Sequence, residues 1–328
     1  MPLILTAAGD DDGRRLDRIL RKALRGLPLS AIHRLLRKGA VLVNGESAPA
    51  DYLIHTGEII TVPVRADAAQ KSPVKESVNM EPGVILFEGA GILVLNKPPG
   101  LAVHGMGSLE EQVLSYLRPK LPPSLSFRPG PLHRLDKPSS GIIAFSTNLE
   151  GARSFSTLMR ERKIKKFYLA LVEGRIERSE IWQDELVRDR QRRKTFSGLP
   201  EDDTKTALTN VRPLAGTAAS TLILAEIETG RTHQIRAQAA ARGHPLVGDR
   251  KYGGKPFPRD AAQKDSGGPT VPGASFLLHA WRMEFPAGTP FPPYIEAPVP
   301  KNFPPGAELY TGNVCGNRAT NNNLQTPG

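Results

Sequence analysis

The sequence predicts an α+β fold with a mixed sheet, organised as two units on a polar tether. Three observations lead there. Strand-like and helix-like runs are interspersed without a strict βαβ rhythm. The 328 residues are roughly twice a usual domain of about 150. A polar stretch from Arg65 to Gly83, rich in Ser, Pro, Lys and Ala and without apolar periodicity, separates a basic N-terminal block from a longer remainder. Hydrophobic residues at 39%, charged residues at 23%, and 31 Gly with 30 Pro describe a loop-rich globular protein and not a disordered one.

The N-terminal unit, residues 1–64, begins with apolar positions at helical spacing. Leu16, Ile19, Leu20 and Leu24 lie before a Gly26/Pro28 break, and Ile32, Leu35 and Leu36 lie after it, which predicts two short amphipathic helices. Val41 and Val43 then alternate up to an Asn44-Gly45 turn, and Ile59, Ile60 and Val62 form a further strand after Gly57. Between Arg14 and Lys38 nine residues are basic, among them Arg15, Arg18, Arg21, Lys22, Arg34, Arg37 and Lys38, against the single acid Asp17. A surface of one sign repels itself unless an anion covers it.

After the 65–83 tether comes the second unit, residues 84–310. It opens with two apolar runs around Gly89 and Gly91 and a Pro98-Pro99-Gly100 bend, a strand pair. A helix from about 109 to 117 is ended by Pro119. Ile142–Phe145 is β-rich, and a helix from about 149 to 162 carries Ala152, Phe155 and Met159 on one face. Strands are expected at FYLALVEG, TLILAEI and FLLHAWRMEF, with a helix at HQIRAQAAAR closed by Gly243. Residues 255–275 form a polar surface insertion, and the Asn/Thr/Gly-rich tail 311–328 is expected to be disordered, Cys315 with it.

Composition narrows function before any motif is considered. One cysteine excludes an intramolecular disulfide and a cysteine metal cluster, and points to a reducing, cytoplasmic location. The start MPLILTAAGDDDGRR lacks a signal-peptide pattern, and no stretch approaches the roughly 18 uncharged residues of a membrane span, so no membrane role is expected. A net charge of +11 favours a polyanionic partner.

Three blocks carry chemistry. In His133-Arg134-Leu135-Asp136-Lys137-Pro138-Ser139-Ser140-Gly141 a charged loop empties into an apolar strand, and Asp136 beside Arg134 and Lys137 is expected to stay ionised and nucleophilic. An Asx turn ahead of Pro and Ser is the plainer account of that segment alone. In the second block, strand alternation puts Tyr168 on the face of Ala170 and Val172, opposite Phe167, Leu169 and Leu171; a lone strand tyrosine is usually structural. The third block, Gly230-Arg231-Thr232-His233-Gln234-Ile235-Arg236, is a strand-to-helix junction whose amides and two guanidiniums suit an anion. Arg231 and Arg236 lie about 140° apart around a helix and are expected to serve different targets.

Taken with LLHAWRMEF and APVPKNF, these blocks resemble the RluA family of pseudouridine synthases over nearly the whole second unit. RLDRIL, LLRKGAVLVNG and TGEIITV look like the small S4-like RNA-binding domain, or alpha-L motif. NKPPGLAVHG looks most like the members that modify large-subunit (23S) ribosomal RNA. Ser139 stands where the family more often has Thr, and the 255–275 insertion is longer than usual.

The resemblance implies a mixed, largely antiparallel sheet flanked by helices, and a reaction that moves the ribose C1′ bond of uridine from N1 to C5. No redox change occurs and no group is lost, so no cofactor and no metal are expected. It further implies Asp136 as the essential carboxylate, at ribose or base, Arg236 as its ion-pair partner, and Tyr168 stacked on the uracil as the base or its positioner. Arg134 would fill the place of the extruded nucleotide; Arg231 and His233 would touch RNA or support the site. A monomer acting on large-subunit ribosomal RNA is expected. Two alternatives stay open: a catalytically silent RNA-binding assembly factor, and a synthase acting on transfer RNA. No P-loop or dinucleotide fingerprint competes.

Overall fold

The computed structural model describes residues 2–64, 83–121, 124–189, 191, 194–197, 204–256, 275–304 and 307. The expectations for the tether, for nearly all of the 255–275 insertion and for the tail with Cys315 lie outside the described residues.

The N-terminal unit runs β1 (Leu3–Thr6), β2 (Arg14–Arg15), α1 (Leu16–Ala23), α2 (Leu29–Arg37), β3 (Leu42–Val43), β4 (Glu46–Ser47), β5 (Leu53–Ile54) and β6 (Ile59–Val62). Its sheet has the order β1-β6-β3-β4, and β2 pairs with β5. The helical spacing predicted for the apolar residues is the spacing of burial: Leu16, Ile19, Leu20, Leu24, Ile32 and Leu36 all enter one core with Val41, Val43, Ile60 and Val62. Each such side chain contributes about 1.5–3 kcal/mol on leaving water. The β3–β4 hairpin turns on Asn44 and Gly45, both at positive φ, as a two-residue turn between twisted strands requires.

The second unit is built on one ten-stranded sheet. Its elements are β7 (Ile85–Gly89), β8 (Ile92–Lys97), α3 (Leu109–Leu117), β9 (Ser140–Ser146), α4 (Leu149–Arg160), β10 (Lys165–Glu173), β11 (Glu180–Asp189), β12 (Lys194–Ser197), β13 (Lys205–Gly216), β14 (Ser220–Ile227), α5 (Gln234–Ala241), β15 (Leu278–Glu284) and β16 (Tyr294–Glu296). The order is β12-β11-β13-β14-β10-β15-β9-β8-β7, with β16 added to β15. Among the described residues only β15 and β9 pair in parallel, so the sheet is mixed and largely antiparallel. α4 stops at Arg160, two residues short of expectation, because Arg162 turns to a φ of 56°.

Strand β10 at the centre has two buried faces. Tyr168, Ala170 and Val172 join the larger core, while Phe167, Leu169 and Leu171 pack with Leu222, Leu224 and Trp281 on the other side. The parallel pairing beside it is close: at Gly141, with φ of 101°, a Cβ would lie 2.2 Å from the Ala280 carbonyl oxygen. Glycine is therefore obligatory one residue into β9, where the charged loop enters the sheet.

The two units touch through a buried carboxylate. Asp11 accepts from Ser124 Oγ and Leu125 N at 3.0 Å each, and from Ser126 N at 2.9 Å and Oγ at 2.5 Å. Arg14 Nη1 donates to Ser126 Oγ at 2.9 Å, and Asp10 takes the Leu149 N–H at the start of α4 at 2.8 Å. Leu125 packs against the N-terminal core.

Candidate active site

The loop between Pro131 and Ser139 is pinned at both ends. Pro131 bridges to Phe145, and the Ser139 N–H closes a turn onto the Asp136 carbonyl at 3.0 Å. The loop's other support comes from the Pro98-Pro99-Gly100 bend. Gly100 N–H donates to the Lys137 carbonyl at 2.8 Å, and the buried Lys97 Nζ donates to the carbonyls of Pro98, Leu101 and Lys137 at 2.8, 3.0 and 3.2 Å. Burial pulls the Lys97 ammonium down to about 8, with the Asp136 charge opposing the shift.

Helix α5 supplies the opposite wall. Arg236 Nη1 donates to Asp136 Oδ2 at 2.7 Å, while its Nε and Nη2 bind the two Asp249 oxygens at 2.6 and 2.9 Å. Its guanidinium also lies 4.4 Å from the Phe276 ring centroid and 4.9 Å from that of Tyr252. Burial alone would lower Arg236, but hydrogen bonds and charge from Asp249 and Asp136 outweigh it, and the net shift is upward.

Tyr168 and Asp136 line the same cavity, together with Ser139, Arg231, His233 and Arg236. Burial pushes the Tyr168 phenol up, and the Asp136 charge adds to that, which favours a protonated hydroxyl over a phenolate. A second cleft shares Arg134, Asp136, His233 and Arg236 and extends to His104 and Lys137. The exposed Arg134 thus stands at the mouth of both. The Ser139 hydroxyl is buried without a hydrogen-bond partner among the described residues.

A carboxylate, a guanidinium and a phenol brought to one cavity from a loop, a helix and a strand now have context in known proteins. Residues 91–241 match the family described as RNA pseudouridylate synthase, and residues 14–60 match the S4 domain. The ribosomal large subunit pseudouridine synthase C of Pasteurella multocida is 35% identical over 86% of this chain and 85% of its own, and that of Escherichia coli is 33% identical over 90% and 92%. The chain belongs to the RNA pseudouridylate synthase family.

Solved structures of family members share the fold. Human RNA Pseudouridylate Synthase Domain Containing 1 aligns over 70% of this chain and 90% of its own at 26% identity, with a TM-score of 0.52. Human RNA Pseudouridylate Synthase Domain Containing 4 aligns over 66% and 88% at 22% identity, with a TM-score of 0.53.

For this pseudouridine synthase the structure places the remaining expected residues unevenly. His233 sits in the cleft, its Nε2 3.7 Å from Asp136 Oδ2. Arg231 lines the cavity with its Nε on the Thr206 carbonyl at 3.1 Å. Gln234 also borders the cavity, but its amide is spent on bracing the junction: it accepts from Thr229 and Arg231 N and donates to Leu208 and Thr209. Of the two guanidiniums at this junction, Arg236 is occupied by two carboxylates, Asp136 and Asp249.

On the S4 domain, Arg18, Arg21, Lys22, Arg34, Arg37 and Lys38 are exposed. Arg15 departs from the expected unpaired surface because its guanidinium binds Asp17 at 3.0 and 3.2 Å. Arg14 is likewise committed, to Ser126.

Two residues of the pseudouridine synthase site escape sequence reasoning. Asp249, in LVGDRKYGG, and Lys97, in NKPPG, are both buried and both touch the groups that hold Asp136. A charged residue inside an otherwise apolar or Gly-rich run is the signal that could have found them. Among the described residues, no group of three His, Cys, Asp or Glu side chains is placed to hold a metal ion, and no helix is long and apolar enough to cross a membrane.

Proposed function

We propose that this pseudouridine synthase acts as a monomer in the cytoplasm on uridines of large-subunit ribosomal RNA, with Asp136 as the reacting carboxylate. The observation that carries the site assignment is the Asp136–Arg236 pair at 2.7 Å, lining one cavity with Tyr168. The names of the relatives support the substrate class.

In this proposal the S4 domain spans residues 1–64 and the catalytic domain 84–310, in keeping with separate apolar cores on either side of the 65–83 segment. A uridine extruded from the RNA enters the cavity, and Arg134 at its mouth takes the vacated place. Tyr168 stacks on the uracil, with its hydroxyl positioning the base. Asp136, turned by Arg236, acts while the N1–C1′ bond breaks and the C5–C1′ bond forms; the C5 proton is released and N1 regains one. Arg231 and His233 contact the RNA or support the pocket.

Asp136→Asn removes the charge and nearly keeps the shape. Tritium release from C5-labelled uridine in ribosomal RNA is expected to vanish while RNA affinity stays within a few fold. Turnover near wild type would overturn the assignment. Mapping pseudouridines in ribosomal and transfer RNA, with and without the protein, tests the substrate.

A further inference from the structure

His233 immediately precedes α5 in the left-handed region, with φ of 55° and ψ of 26°. Few residues with a Cβ adopt that conformation, and histidine is among the more tolerant. Here its ring bridges two groups. Nδ1 lies 2.9 Å from Tyr252 Oη, the rings meeting edge-on at 87°, and Nε2 lies 3.7 Å from Asp136 Oδ2.

The phenol decides which nitrogen carries the proton. Tyr252 Oη already accepts the backbone N–H of Thr195 at 2.9 Å. Its own proton then has His233 Nδ1 as its acceptor among the described residues. An imidazole accepts at Nδ1 only when neutral and protonated at Nε2.

We propose that Tyr252 is a positioning residue: it fixes His233 as the Nε2–H tautomer, and His233 presents that N–H to Asp136 Oδ2, the oxygen also held by Arg236 Nη1. The inference rests on Asp136 being the reacting carboxylate. Arg236 Nη1 donates to Oδ2 and His233 Nε2 approaches the same oxygen, and among the described residues no hydrogen bond reaches Oδ1, which leaves that oxygen to meet the nucleotide. A gap of 3.7 Å exceeds a hydrogen bond. Contacts of this kind tighten when substrate fills a site. Burial, reinforced by Arg236 and Lys251 and opposed by Asp136, lowers the His233 imidazole to about 4, so it is neutral as the geometry requires.

The test uses the full chain. Nitrogen-15 NMR of labelled histidine is expected to show His233 protonated at Nε2 in the wild type, and a mixture of tautomers in Tyr252→Phe. Single-turnover conversion of a large-subunit ribosomal RNA fragment is expected to slow about tenfold in Tyr252→Phe without loss of RNA affinity, and that factor should disappear in a His233→Ala background. Wild-type His233 protonated at Nδ1 or at both nitrogens would overturn the proposal, and needs no variant to fold. So would a full rate in Tyr252→Phe, or an equal slowing with His233 already removed. Normal turnover by Asp136→Asn would sink the site assignment, and the role proposed for Tyr252 with it, yet leave the tautomer measurement standing; the two failures are thereby distinguished.

Discussion

Asp249 grips Arg236 through two hydrogen bonds, Nε to Oδ2 at 2.6 Å and Nη2 to Oδ1 at 2.9 Å, and so turns the remaining Nη1 toward Asp136. Guanidinium geometry makes this possible. Five donors in a rigid plane can grip one carboxylate with two of them and aim a third at another carboxylate, whereas an ammonium's three donors rotate freely.

Asp249→Ala is therefore expected to act on both stability and turnover. Removing one partner of a buried ion pair costs about 3–5 kcal/mol, and Asp136 retains part of the pairing, so a loss near 3 kcal/mol is expected from denaturant unfolding. Single-turnover rate should fall with it, because Arg236 becomes free to rotate. Arg236→Lys should not rescue either quantity.

Acid is expected to unfold the protein before its carboxylates titrate. Burial lowers His133, His233 and His279 to about 4 from 6.5. Between those values the unfolded chain binds up to three more protons than the folded one, so stability falls as pH drops below 6.5. The slope reaches at most about 4 kcal/mol per pH unit for three such protons. Denaturant midpoints at pH 7, 6 and 5 check the sign, and His133→Gln should shallow the slope.

The S4 domain's grip on RNA is expected to be electrostatic. Arg21, Lys22, Arg34 and Arg37 are exposed and, among the described residues, have no side-chain hydrogen bond or ion pair. Replacing all four by Gln should reduce the slope of log affinity against log salt by about three to three and a half, at about 0.7–0.9 per phosphate contact. An unchanged slope would place the RNA footprint elsewhere.

Asp11→Ala is expected to loosen the seating of the S4 domain. Four hydrogen bonds reach this carboxylate from Ser124, Leu125 and Ser126, and all are lost together. Amide hydrogen exchange at 125–127 should quicken, while exchange in β10 should not change. Protection kept at 125–127 would show that Leu125 packing alone holds the contact.

The sequence made local periodicity legible and left long-range partnership hidden. Tyr168 could be assigned to the face of Ala170 and Val172 because strands alternate by two, and α1, α2 and α3 could be placed because their apolar residues recur by helical turns. Strand β11 gave less signal: its deeply buried Trp182 and Leu186 stand four apart, a spacing that fits a helix as well as a strand, the apolar Ile181 beside Trp182 is exposed, and the strand is defined by pairing with β12 and β13. Asp249 looks like a turn residue until folding sets it against Arg236. Arg14 looks like a phosphate ligand until Ser126, 112 residues away, is brought to it.

The Asp11 contact gives the enzyme a fixed reach. On the function proposed above, α1 and α2 take one hold on RNA and the cleft around Asp136 takes the other, so the chain is expected to act as a bivalent reader whose two holds are set apart by its own framework. An RNA captured by the helices presents a uridine to the cleft at high effective concentration only if its fold spans the same distance. A uridine in the right base sequence on a strand of the wrong shape meets a single hold. On that reading, substrate choice is expected to follow the three-dimensional spacing of the RNA, measured by the protein as a caliper measures a part.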